Sequence, residues 1–136
     1  MELHNNLKFS RAIAPAAAVT DNTAFVSQIL DTQNFADNEL IIAAGALADA
    51  DATFTLLVEE GNAANLSDNA AVDDADLLGT ESGSSFTFAD DNLVKKIGYK
   101  GKKRYIRATI TPANNTGNAF FAAVWAQGGA RKTPQA

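Results

Sequence analysis

From Arg104 to Thr111 the chain alternates apolar and polar positions. Ile106, Ala108 and Ile110 point one way, and Tyr105, Arg107, Thr109 and Thr111 the other, which suits a half-buried strand. Turn-forming residues fill Pro112 to Asn118, and Ala119 to Ala126 is then apolar at both parities, as a strand covered on both faces would be. The pattern predicts an antiparallel hairpin of 104–111 with 119–126 at the centre of the fold, with Trp125 in its core. Upstream, Thr23–Leu30 sets Phe25, Ser27 and Ile29 against Val26, Gln28 and Leu30, and Thr53–Glu60 turns Phe54, Leu56 and Val58 to one side. Glu39–Ala44 is an apolar run that Gly45 ends, and Leu77–Thr80, Ser85–Phe88 and Leu93–Tyr99 are shorter candidates. Short strands separated by turn signals every 8–12 residues or so predict an all-β, single-domain antiparallel β-sandwich of about seven or eight strands.

Both ends depart from this pattern. Pro15 lies within Ala12–Val19, which suits neither a helix interior nor a central strand. Residues 1–20 are therefore expected to form an extended N-terminal arm that orders only against another chain. The sandwich is expected over 21–127, and Gly128-Gly129 and Pro134 predict a flexible tail over 128–136. Ala63–Asp76 is an acidic excursion expected to be mostly loop.

Composition qualifies the core. Apolar residues make up 46% of the chain, but 27 of them are alanine, so large side chains are not abundant. Burial between subunits would supplement such a core.

The net charge of −5 conceals a segregation: Ala12–Val94 holds fifteen Asp/Glu and no Lys or Arg, whereas Lys95–Ala136 holds nine Lys/Arg and no Asp/Glu. The two blocks can neutralise each other within the fold, or the acid of one subunit can meet the base of a neighbour and orient assembly. Lys8, Arg11, Lys102, Lys103 and Arg107 are the candidate interface residues on the second reading. Single-stranded nucleic acid could be clamped by Lys100, Lys102, Lys103, Arg104 and Arg107 with Tyr99 and Tyr105. However, Tyr105 and Arg107 share a face with Thr109, and the pI is 4.7, so no nucleic-acid partner is expected.

Catalytic chemistry is poorly supplied. There is no cysteine, and the only histidine is His4, which removes the usual nucleophile–base arrangements. Glu59 and Glu60 are adjacent on a strand and face opposite sides. Asp68–Asp76 lacks the alternating ligands, glycine and final glutamate of an EF-hand, although an acidic loop over 65–76 can still attract a cation. No enzyme activity, cofactor or metal site is expected. No apolar run reaches the ~18 residues of a membrane span, and Glu2 and Asn5-Asn6 stand where a signal peptide needs an apolar core.

Several phrases carry a family resemblance: Asp31-Thr-Gln-Asn-Phe35, Leu47-Ala-Asp-Ala-Asp-Ala-Thr-Phe54, Glu59-Glu60, Leu66-Ser-Asp68, Ala75-Asp-Leu-Leu-Gly-Thr80, Ser85-Phe-Thr-Phe-Ala-Asp-Asp-Asn92, and Ile97-Gly-Tyr99 through Lys103-Arg-Tyr105 to Thr109-Ile-Thr-Pro-Ala-Asn-Asn-Thr-Gly-Asn118. In order and spacing, over about residues 23–127, they resemble small virion proteins of tailed bacteriophages encoded beside the major capsid protein. The resemblance implies a jelly-roll-like head decoration or cement protein, made in the host cytoplasm. It would sit on the capsid surface as a homotrimer at junctions between capsomers, with the major capsid protein as partner. It supplies no catalytic residues. The alternative from another class is a carbohydrate- or host-surface-binding module of the virion head or tail.

Overall fold

Eleven strands build the protein in a computed structural model, which describes residues 2–130. They are β1 (Lys8–Ile13), β2 (Phe25–Val26), β3 (Leu30–Asp31), β4 (Phe35–Leu47), β5 (Thr53–Gly61), β6 (Ala70–Ala71), β7 (Leu77–Leu78), β8 (Phe86–Thr87), β9 (Val94–Tyr99), β10 (Tyr105–Ala113) and β11 (Ala119–Ala130). Single 3-10 turns at Asp74–Asp76, Ser82–Ser84 and Phe88–Asp90 interrupt the chain between β6 and β9. Sheet A has the order β1-β11-β4-β9-β7. Sheet B is centred on β10 and β5, with β2 and β3 along one side and β6 and β8 along the other. All pairings are antiparallel. The fold is therefore the expected all-β antiparallel sandwich, and from β6 onward every successive strand changes sheet, as in a jelly roll.

That alternation corrects the predicted hairpin. β10 pairs with β5 in sheet B, and β11 pairs with β1 and β4 in sheet A. Each strand has one buried set, Ile106, Ala108 and Ile110 on β10 and Phe121, Ala123 and Trp125 on β11. Facing these sets across the ~10 Å between sheets closes the core. The link Asn114–Asn118 crosses that gap, anchored where Asp49 Oδ2 accepts hydrogen bonds from the backbone N–H and hydroxyl of Thr116 (2.8 and 3.0 Å). β11 is central in its sheet but covered on one face only, since Phe120 and Val124 are about 40% exposed on the other (37% and 40%).

The expected ends also need correction. Lys8–Ile13 pairs with β11 of its own chain and buries Ala12 and Ile13, so this part of the arm belongs to the sandwich. The segment beyond Pro15 is held too: Val19 bridges Ala119, and the Asn115 side-chain amide donates to the carbonyls of Val19 and Asp21. Gly128 and Gly129 continue β11, with Gly128 opposite Asp37 and Ala130 opposite Phe35, because β4 begins early enough to pair with them. Residues 131–136 of the expected tail lie outside the described residues.

Side chains complete the ladders where short strands leave gaps. Between β2 and β3, Ser27 Oγ accepts the Ala108 N–H (2.9 Å). Between β6 and β8, Glu81 Oε2 accepts the Val58 N–H (2.7 Å) and Ser85 Oγ the Leu56 N–H (3.0 Å). Buried amide groups left unpaired would each be costly. The Glu81–Ser85 stretch therefore seals the side of β5. Within the core, Trp125 is buried and its indole N–H donates to the Gln28 carbonyl (3.2 Å), as an indole inside a sandwich requires.

Candidate interaction surface

The two outer faces of the sandwich differ in chemistry. Sheet B presents Thr55, Leu57 and Glu59 of β5 beside Thr111, Thr109 and Arg107 of β10, with Val26 of β2 next to Thr109, a mainly polar face broken by the exposed Val26 and Leu57. Sheet A presents three rows in which apolar residues outnumber charged ones. Phe9, Ala126, Glu39, Gly98 and Leu78 lie side by side across its five strands. Two residues along stand Arg11, Val124, Ile41 and Lys96, and then Ala122, Ala43 and Val94. Val94 is 66% exposed, Phe9 57% and Leu78 53%. Isolated exposed apolar residues are ordinary, but a contiguous set on one sheet face marks a contact surface.

Two glycines shape this face. A Cβ on Gly98 would stand 2.6 Å from Glu39 Oε1 and 3.0 Å from the Leu78 Cβ, and one on Gly45 would stand 2.9 Å from the Phe120 Cβ. Glu39 and Leu78 thus fold over bare backbone at one end of the sheet, and Phe120 does so at the other. A depression of about 580 Å³ opens at the first end, between Leu3, Leu7, Leu78 and Ala126. A smaller one of about 260 Å³ opens at the second, between Pro15, Phe120 and Ala43. Glu39 is half-buried in the face, and this burial pushes its carboxyl above the usual range, with the Lys96 charge working the other way.

The five candidate basic residues do not share one surface. Lys8 and Arg11 lie on β1, the edge of sheet A, with Lys8 Nζ 5.9 Å from the Phe35 ring centre. Lys102 and Lys103 are exposed in the β9–β10 loop, where they line a depression with Phe35. Arg107 stands on the opposite outer face, in sheet B, its guanidinium 3.1 Å from Glu59 Oε1. The other ion pairs among the described residues are Arg104–Asp31 (2.9 Å) and Lys95–Asp90 (3.5 Å). Each pair joins the basic third of the sequence to the acidic part, so segregated charge is neutralised inside the fold at these places. Glu59 and Arg107 are both largely buried, so Arg107→Glu would oppose two carboxylates and cost roughly 1–3 kcal/mol. Thermal unfolding should record this loss, and adding Glu59→Arg should recover most of it.

Tyr99 ties the sheets together near the basic loop. Its hydroxyl donates to Glu60 Oε1 (2.7 Å) and accepts the Lys103 N–H (3.0 Å). Burial first, and the bond to Glu60 second, raise the phenol well above its ordinary value. The unfolded chain would ionise first, so this contribution is complete below about pH 10 and is lost as pH rises toward the folded value. Tyr99→Phe should cost about 1–2 kcal/mol at neutral pH. Denaturant titrations at rising alkaline pH should show the wild type losing stability faster than the variant.

The remaining candidate chemistry is structural. Asp68 accepts the Asn62 and Ala63 N–H groups (2.9 and 3.2 Å), and these bonds lower its carboxyl below the usual range. Among the described residues no three His, Cys, Asp or Glu converge as metal ligands. No described helix is long and apolar enough to cross a membrane. A sugar platform would use exposed aromatics set close together, but Trp125 is buried. Phe9 and Phe120 stand at opposite ends of the sheet A face, roughly 20 Å apart at strand spacing. The sequence carried the apolar face as the second parity of β11 and the outward residues of β4 and β9, but those residues read there as core.

No family model and no curated protein matches this sequence. Among solved structures, the whole chain is similar in fold to the PBSX exported protein XepA, with a TM-score of 0.55 and 14% identity, and it spans 41% of that protein's length. Looser likenesses include the SPBc2 prophage-derived protein YomS (TM-score 0.44, 10% identity, 89% of this chain and 93% of that one). A C-terminal family 22 carbohydrate binding module of Clostridium thermocellum Xyn10B is another (TM-score 0.46, 11% identity, 93% of this chain and 89% of that one). At such identities the likeness concerns the fold.

Proposed function

We propose that this chain is a structural, non-catalytic virion protein that decorates and stabilises a bacteriophage capsid. In this reading it binds the major capsid protein as a trimer at junctions between capsomers. The observation that carries the proposal is the asymmetry of the two outer faces: sheet B is mainly polar, whereas sheet A offers larger, mostly apolar rows with a depression at each end. A surface of that kind gains by being covered. The family resemblance of the sequence supplies the virion context, and the XepA-like fold is compatible with it.

Heads assembled without the protein provide the test. Wild-type protein should remain on them through washing. Val124→Asp, which puts an exposed charge in the middle of the face, should weaken retention by at least about tenfold if that face is buried on the capsid. Its thermal unfolding should stay close to wild type, because Val124 is 40% exposed in the isolated domain. Equal retention of the two proteins would refute the assignment of this face.

A further inference from the structure

Three distant parts of the chain meet at the end of the sandwich where β10 crosses to β11. The link bearing Asn114, Asn115 and Thr116 lies there against Asp49 and Asp51 of the β4–β5 turn, and against Asn22 ahead of β2. These six residues line an open cavity of about 690 Å³. Every side chain in the lining offers an oxygen, two are carboxylates, and no Lys or Arg is among them. Neither Asp49 nor Asp51 forms an ion pair among the described residues. Asp49 is already held by the N–H and hydroxyl of Thr116 and by the Asp51 N–H (2.9 Å), and the Thr116 N–H above all keeps its carboxyl below the usual range. Asn115 is held less completely. It is 3% exposed, and its NH2 group is turned to the carbonyls of Val19 and Asp21 (3.3 and 2.9 Å), yet its Oδ1 has no hydrogen-bond partner among the described residues. A buried acceptor left without a partner is costly, and this one belongs to the lining of a negatively charged cavity.

We infer that this cavity binds a divalent cation of the calcium type, held by the carboxylates of Asp51 and Asp49 and by the amide oxygens around them. Asp51 is exposed, and its side chain accepts no hydrogen bond among the described residues. A carboxylate has about four acceptor sites, so Asp49 keeps one for the ion beyond its three bonds. The cation supplies, directly or through a bound water, the positive partner that the Asn115 oxygen lacks. Oxygen donors without nitrogen or sulfur select calcium or magnesium over transition metals. An open, irregular set of carboxylate, amide and hydroxyl groups completed by water suits the six to eight ligands or so of calcium, and magnesium's strict octahedron less well. With two carboxylates in an open cavity, affinity belongs to the weak class of roughly 0.1–1 mM. No ligand spacing announces the site in the sequence, since its oxygens come from three segments. None of these residues lies on the outer face of sheet A, and the inference does not rest on the virion role.

Thermal unfolding of the full chain, stripped with chelator and then titrated with calcium chloride, tests this. The midpoint should rise by a few degrees and begin to level off near about 10 mM, and magnesium chloride should need about tenfold more to match it. Asp51→Asn should leave the metal-free midpoint within about 2 °C of wild type, because the side chain is exposed, and should weaken the calcium response by about tenfold. Asp73→Asn removes an exposed carboxylate outside the cavity lining and should respond to calcium as the wild type does. Titration calorimetry should give one site per chain, weakened to the same degree in Asp51→Asn. A wild-type midpoint unmoved at about 10 mM calcium would overturn the inference. So would equal shifts with calcium and magnesium in all three proteins, which would be screening of the net charge of −5 and no site.

Discussion

Replacing Phe121 with alanine should lower the stability of the domain by about 3–5 kcal/mol, the range for emptying an aromatic site in a packed core. Phe121 is 3% exposed and is the one sheet A ring in a cluster of four. The rings of Phe25, Phe54 and Phe86 surround it edge-on at 5.0, 5.2 and 5.1 Å. Those three come from β2, β5 and β8 of sheet B, so the side chain joins the two layers of the sandwich. Its removal uncovers three faces at once, and the strands that carry them are tied to separate parts of the ladder and cannot all close on the void. The neighbouring residue is the control. Phe120 points to the outer face, and Phe120→Ala should cost no more than about 1 kcal/mol. Chemical denaturation should separate the two variants, and similar losses for both would contradict this inward and outward assignment.

Deleting residues 2–13 should lower stability by roughly 2–4 kcal/mol. The deletion removes a strand paired along β11, buries neither Ala12 nor Ile13 any longer, and breaks the bond from the Gln28 N–H to the Ala12 carbonyl (2.8 Å). Burial of Ile13 alone is worth about 1.5–3 kcal/mol, and each lost ladder bond about 0.5–1.5 kcal/mol. Release of backbone entropy offsets part of the sum. An independent arm would leave the unfolding midpoint unchanged when removed. The truncated chain should instead unfold at lower denaturant and expose the edge of β11 to other chains.

Local patterning conveyed much of this architecture. The alternation in Thr53–Glu60 and Arg104–Thr111 placed Phe54, Leu56, Val58, Ile106, Ala108 and Ile110 inside, where they are found. Alternation assigns a side of a strand but not a sheet, so Pro112–Asn118 read as a hairpin turn when it is a crossing between layers. Gly45 looked like a strand end. β4 runs through it because Phe120 on β11 covers the bare backbone, a contact between residues far apart in sequence. The alternation read over Thr23–Leu30 holds for Phe25, Val26 and Ser27 and then slips by one residue, leaving Ile29 exposed and Leu30 buried where the chain passes from β2 to β3 and Ser27 bonds β10. Pro15 obscured the strand just before it.

The candidate surface was legible in part. Charge segregation was plain, but its ion pairs depend on folding: Glu59 meets Arg107 only because β5 and β10 are neighbours. The rows of sheet A combine residues from β1, β4, β7, β9 and β11, and no single window of sequence contains them. Arg11 belonged to the expected interface, whereas Glu39 carried no signal beyond its place at the start of an apolar run.

The proposed virion role is tested most directly by a reconstruction of virions assembled in the presence of this protein, at a resolution that traces it. The account predicts the protein on the outer surface of the capsid, with Val124, Ile41 and Val94 covered by neighbouring protein and the threonine-rich face of sheet B open to solvent. Its absence from the capsid, or a bound copy with the sheet A face exposed to water, would contradict the account.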